Sequence, residues 1–298
     1  MSGAMFGDRL QRAVTAHGPV VAGIDPHAAL LTDWGLPDTP AGLRTFARTA
    51  LDAVTREVAA IKPQSAFFER HGSAGIAVLE ELLGEARSRG VLSVLDVKRG
   101  DIGSTMGAYA DAYLRPGAPL EADAVTLSPY LGFGSLQPAL DRVASDGKGV
   151  FVLALTSNPE GPAVQHARTP DGRALARLIV EQAEEVNRGL REDRSRIASL
   201  TGATDSSAPG WGSVGLVIGA TVGEAVQQLD IDLQGSTSPL LAPGFGAQGA
   251  GPEQRGEVFG AAAPRVLVSL SRGLLGAGPD PEAVHDAARA LRSAYSGL

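Results

Sequence analysis

Short apolar runs alternate with amphipathic stretches along almost the whole chain. The runs cover 19–25, 58–63, 91–98, 122–128, 149–156, 214–220, 239–243 and 265–271. They hold little internal polarity, which predicts parallel strands buried on both faces. Between them, 41–57, 75–89, 104–114, 136–145, 174–194, 222–229, 253–262 and 281–295 carry apolar residues at helical spacing. A further helix over 8–17, closed by Gly18, precedes the first strand. Strand and helix alternating eight times predict one (β/α)8 barrel domain, with the first helix capping its bottom. An open doubly wound sheet would want a Gly-rich first strand-to-helix turn, but the first run ends Gly-Ile-Asp-Pro. The segment 192–213 is too polar and too rich in Gly, Ser and Thr for a packed helix, and is expected to leave the barrel as a surface excursion.

Composition narrows the function classes. The chain has 298 residues, 44% hydrophobic, enough for a large core. A net charge of −7 without Lys/Arg clusters argues against a nucleic-acid surface, though a small anion can still find a local cationic site. There are no cysteines, hence no thiol nucleophile or Cys-zinc site. No apolar run reaches the length of a membrane span and the start lacks a signal-peptide pattern, so a soluble, cytoplasmic protein is expected. The five histidines lack metal-ligand spacing, and no Gly-x-Ser-x-Gly elbow occurs.

In such a barrel the chemistry gathers at the C-terminal ends of the strands. The polar residues there are Asp25, then Lys62 and Gln64, then Asp96 and Lys98, then Thr156 and Ser157, and finally Arg272 and Gly273. Asp96 and Lys98 stand at i and i+2 and should share a face, with Asp101 in the exit loop. Lys98 is thus expected between two carboxylates, protonated, and suited to give a proton to a carbanion. A purely structural ion pair is the weaker reading, since burying one seldom adds stability. Arg272 offers a planar fork of donors and Gly273 an open backbone, which suits a phosphate. The Gly-rich loop 243–251, with Gln248 as a donor, could close over it.

The run Asp96-Val-Lys98-Arg-Gly-Asp101-Ile resembles the Asp-x-Lys-x-x-Asp signature of the orotidine 5′-phosphate decarboxylase family, in its longer bacterial form. The similarity extends in order through Ile24-Asp25-Pro26, Lys62-Pro63-Gln64, Thr156-Ser157-Asn158-Pro159 and Ser271-Arg272-Gly273. The resemblance implies decarboxylation of orotidine 5′-phosphate to UMP without cofactor or metal, in a homodimer with shared sites. It implies that Lys98 protonates C6 and that Asp96 presses on the leaving carboxylate. Asp25 and Lys62 would hold ribose hydroxyls, Thr156 or Ser157 the base, and Gln248 and Arg272 the phosphate. Asp101 and Thr105 would reach into the partner's site.

Three other readings compete. A magnesium-dependent sugar-phosphate decarboxylase would need further carboxylates, for which Glu69 is the close candidate. A class I aldolase would use Lys98 as an imine-forming amine, and a non-catalytic sensor would merely bind a phosphate ligand.

Overall fold

The computed structural model describes residues 4–201, 210–246 and 249–296. Eight parallel strands close into a barrel in sequence order. They are β1 Val20–Ile24, β2 Ala60–Pro63, β3 Leu92–Arg99, β4 Ala124–Leu127, β5 Gly149–Leu155, β6 Val214–Ile218, β7 Leu240–Ala242 and β8 Val266–Leu270. Seven of the eight expected apolar runs contain their strands, trimmed by a residue or two at the ends. Only β3 runs one residue further, to Arg99.

The helices are α1 Phe6–His17, α2 Ala28–Asp33, α3 Pro40–Val54, α4 Ala66–Glu69, α5 Gly72–Ser88, α6 Gly103–Leu114 and α7 Gln137–Asp146. They continue with α8 Pro162–Gln165, α9 Leu175–Thr201, α10 Ala225–Gln228, α11 Pro252–Phe259, α12 Arg272–Leu275 and α13 Pro281–Ser296. Leu43, Phe46, Leu79, Leu82, Ile179 and Val284 turn inward from the ring of helices onto the outer face of the barrel. None of the described helices is long and apolar enough to cross a membrane.

The barrel interior holds a second core, in which Val21, Ala60, Val94, Ala124, Phe151 and Leu267 converge from six strands. Helix α1 seals it from below. Its Phe6 meets Phe151 edge-on at 6.0 Å between ring centres, and Gly149 leaves the room this needs, because a Cβ there would run into the Phe6 ring. The barrel interior is therefore closed from below by α1, and it opens at the opposite end, where the strands finish.

Two expectations need correction. The segment 192–213 does not leave the barrel at 192, since α9 continues to Thr201. Its polar side chains are those of a solvated helix, tied by Arg191 to Glu184 at 2.8 Å, Arg194 to Asp8 at 2.9 Å and Arg196 to Asp193 at 2.6 Å. At the far end, Ser213 is buried and its hydroxyl accepts the Gly7 N–H. Residues 202–209 lie outside the described residues. The helix expected over 222–229 is shortened to α10, because Gly223 enters it at φ 59° and Asp230 leaves it at φ 53°.

Candidate active site

At the open end, a cavity of about 410 Å3 is lined by Asp25 and His27 after β1, Lys62 and Gln64 from β2 and its exit, and Asp96 and Lys98 from β3. Thr126 of β4, Ser269 of β8 and Ser271, Arg272 and Gly273 after β8 complete the polar lining. Val217, Leu241, Phe245 and Leu270 give one wall an apolar face.

The charged groups form one chain. Asp25 Oδ1 lies 3.6 Å from Lys62 Nζ, which lies 3.3 Å from Asp96 Oδ2, and Lys98 Nζ donates to Asp96 Oδ1 at 2.7 Å. Gln64 Nε2 donates to Asp96 Oδ2 at 2.9 Å, and the Thr126 hydroxyl donates to Oδ1 at 2.7 Å. Both oxygens of a nearly buried carboxylate are thus doubly engaged. Burial alone would raise the Asp96 pKa. The charges of Lys62 and Lys98 and the hydrogen bonds from Lys98 and Thr126 outweigh it, holding the carboxyl down at about 2. Lys62 shows the converse, since burial opposes its charge but Asp25 and Asp96 together push its pKa upward.

The lysine between two carboxylates is therefore Lys62, whereas Lys98 was expected there. Lys98 pairs with Asp96 alone, and its side chain is about half exposed at the mouth. Asp101 turns away. Its carboxylate accepts the N–H of Ile102, it does not line the cavity, and Thr105 in the first turn of α6 is exposed. The reason lies in the end of β3, where the ladder to β4 slips between Leu95 and Arg99 and Lys98 adopts φ 43°. A regular strand end, as assumed from the alternation, would have placed Lys98 between Asp96 and the exit loop that carries Asp101.

Arg272 and Gly273 reach the cavity as expected, and Arg272 has no ion pair among the described residues. Thr156 and Ser157 do not line it. Thr156 Oγ1 donates to Asn158 Oδ1 at 2.6 Å and accepts from Gln165 Nε2 at 2.7 Å, which keeps the β5 exit folded on itself. Gln248 lies outside the described residues. Thr126 and His27 were missed by sequence reasoning. His27 is an exposed ring lying 4.1 Å, centre to centre, from Phe67, and nothing in the sequence marks it. Thr126 left one trace, a lone hydroxyl inside the run Ala-Val-Thr-Leu.

A profile described as "Orotidine 5'-phosphate decarboxylase / HUMPS family" matches residues 18–288, which span the entire barrel. The chain belongs to the orotidine 5′-phosphate decarboxylase / HUMPS family. It is 52% identical over 283 residues to the orotidine 5′-phosphate decarboxylase of Salinispora arenicola, covering 95% of this chain and 94% of that one. With the enzyme of the same name from Streptomyces coelicolor it shares 50% over 283 residues, again covering 95% and 94%. Among solved structures, a Streptomyces avermitilis chain assigned to the same enzyme superposes with a TM-score of 0.88 at 49% identity, covering 99% and 96% of the two chains. The Leishmania donovani OMP decarboxylase gives 0.70 at 29% identity, covering 99% and 100%. Within the orotidine 5′-phosphate decarboxylase / HUMPS family, the likeness thus includes the full barrel and not only the charged mouth.

Proposed function

We propose that this chain decarboxylates orotidine 5′-phosphate to UMP and carbon dioxide, with Lys98 as the proton donor. The observation that carries the reading is the alternating chain Asp25, Lys62, Asp96, Lys98 lining the same cavity as Arg272, which has no ion pair among the described residues. It is joined by half-identity to named decarboxylases over nearly the full length of both chains.

Breaking the bond between C6 and the carboxylate leaves an electron pair on an sp2 carbon with little resonance help. A fixed positive charge beside that carbon is then the main source of catalysis. Lys98 supplies the charge and then its proton, which forms the new C6–H bond while carbon dioxide departs. Asp96, anionic far below neutral pH, fixes the ammonium and repels a substrate carboxylate placed against it. Arg272 would take the phosphate, remote from the bond that breaks, so its binding energy can hold the base in place. Asp25 Oδ1 and Ser271 Oγ are buried without hydrogen-bond partners among the described residues. Buried polar atoms want partners, and ribose hydroxyls would supply them. The family resemblance gives the base to Thr156 or Ser157 and the phosphate to Gln248, although neither Thr156 nor Ser157 lines the cavity in this structure.

We further place Asp101 and Thr105 in the partner's site of a homodimer. Neither lines the cavity of its own chain, and beside them Ile102, Tyr130 and Leu131 expose 62%, 77% and 53% of their surface. These side chains follow the exits of the adjacent strands β3 and β4, forming an apolar rim suited to a second copy.

The magnesium-dependent reading is less well supported. Glu69 accepts from Arg99 and Ser65, both at 2.6 Å, and does not line the cavity. An ultraviolet assay of orotidine 5′-phosphate, with and without exhaustive chelation, tests the proposal. Turnover undiminished by chelator is expected, and an unconsumed substrate would refute the assignment.

A further inference from the structure

We infer that Thr126 is a positioning residue whose one hydroxyl locks the Asp96 carboxylate and the backbone of Lys98 into a single unit. The inference rests on the decarboxylation reading above and names a residue of the same site.

A hydroxyl has one proton and two lone pairs. Thr126 uses all three, donating to Asp96 Oδ1 at 2.7 Å and accepting the N–H groups of Val97 at 3.1 Å and Lys98 at 2.9 Å. The side chain is 1% exposed, so water does not compete for these bonds. They fall where the β3–β4 ladder is interrupted, and so they satisfy two successive N–H groups at that break, one buried and one part-buried.

The geometry explains how a half-exposed lysine can be held on target. Lys98 sits at φ 43°, a backbone region that a lysine rarely adopts. Its N–H is pinned by Thr126, while its ammonium is pinned by the same carboxylate oxygen that Thr126 also grips. Gln64 and Lys62 hold the other oxygen. Without the Thr126 hydroxyl, Oδ1 is left to Lys98 alone, and carboxylate and lysine can drift together. The methyl of Thr126 restricts χ1 in a strand, which aims the hydroxyl at this junction.

The test compares wild type with Thr126→Val, which keeps the shape and loses the hydroxyl, and Thr126→Ser, which keeps the hydroxyl. With orotidine 5′-phosphate, Val is expected to lower kcat roughly 100-fold while KM and the calorimetric affinity for UMP change less than about threefold. Ser should stay within about fivefold of wild-type kcat. A Val variant that loses thermal stability but keeps kcat overturns the inference, as does a Ser variant as slow as Val. If Val does not fold, Thr126→Ala is judged by the same split. A wild type that leaves the substrate unconsumed instead refutes the decarboxylase reading, so the two failures are distinguishable.

Discussion

The two ends of the barrel both carry cavities lined with charge, and the larger one is at the wrong end for chemistry. The bottom cavity, about 1150 Å3, is lined by Arg9, Arg12, Arg56, Arg87 and Arg89 around α1, α3 and α5. Most of these arginines have local partners. Arg9 pairs with Asp123, Arg89 pairs with Asp52, and Arg87 donates to the Glu121 carbonyl at 3.2 Å. Helix C-termini gather at that end, and cations there offset the negative ends of the helix dipoles. The open-end cavity is about a third that size, yet its four central charges are linked in series and two of them are buried. Charge coupled under burial marks the site, and cavity size does not.

The sharpest break of that contrast is Lys98→Ala. It removes both the fixed charge and the proton, so turnover should fall roughly 10⁴-fold or more with the fold intact by circular dichroism. Retained activity would send the mechanism elsewhere. Mixing Lys98→Ala chains with Asp101→Asn chains tests the proposed homodimer with shared sites. Random exchange makes half the dimers mixed, each with one intact site, so about a quarter of wild-type activity should return. No recovery would confine Asp101 to its own chain.

Next comes Asp96→Asn, which leaves Lys62 and Lys98 without their common anion. A fall in kcat of about 10² to 10³ is expected, with a stability loss at neutral pH of about 2 to 3 kcal/mol. The folded pKa of about 2 lies below the ordinary 3.8. The stabilisation is therefore complete above about pH 4 and is lost as pH falls through about 2. The melting-temperature gap between wild type and Asp96→Asn should accordingly close on acidification over that range. Lys62 runs the other way. Its raised pKa stabilises the fold below its ordinary 10.5 and ceases to do so as the pH climbs beyond the folded value.

Arg272→Ala should act on binding before chemistry. Losing one charged partner of a phosphate is worth roughly 10- to 100-fold in KM, with a smaller change in kcat. An unchanged KM in steady-state assays would take the phosphate away from Arg272.

How far the sequence alone reaches follows the same division. The eight strands were legible because a strand buried on both faces must be an apolar run, and the pair Asp96 and Lys98 was legible because it ends one. Lys62 as the central cation was not. Its place depends on which strand lies beside which, and the bridge of Gln64 to Asp96 that brings β2 against β3 exists only after closure. The break in β3 was hidden for the same reason, since it is stabilised by a hydroxyl on the neighbouring strand, about thirty positions along the chain. The misread stretch 192–201 fails differently. Composition cannot distinguish a polar loop from a helix whose polar faces meet water and ion-pair partners, and here Arg194 finds Asp8 across 186 residues.

The smallest expected effect is the most informative about the bottom cavity. Arg56→Ala removes an exposed arginine that has no ion pair among the described residues, at the end of α3. Its favourable interaction with the helix end is worth only a few tenths of a kcal/mol in water, so the melting temperature should move by about one degree or less. With no link to the chain from Asp25 to Lys98, kcat and KM should both stay within about twofold of wild type. A larger kinetic change would mean that the two ends of the barrel are coupled, and that the arginines below do more than balance helix ends.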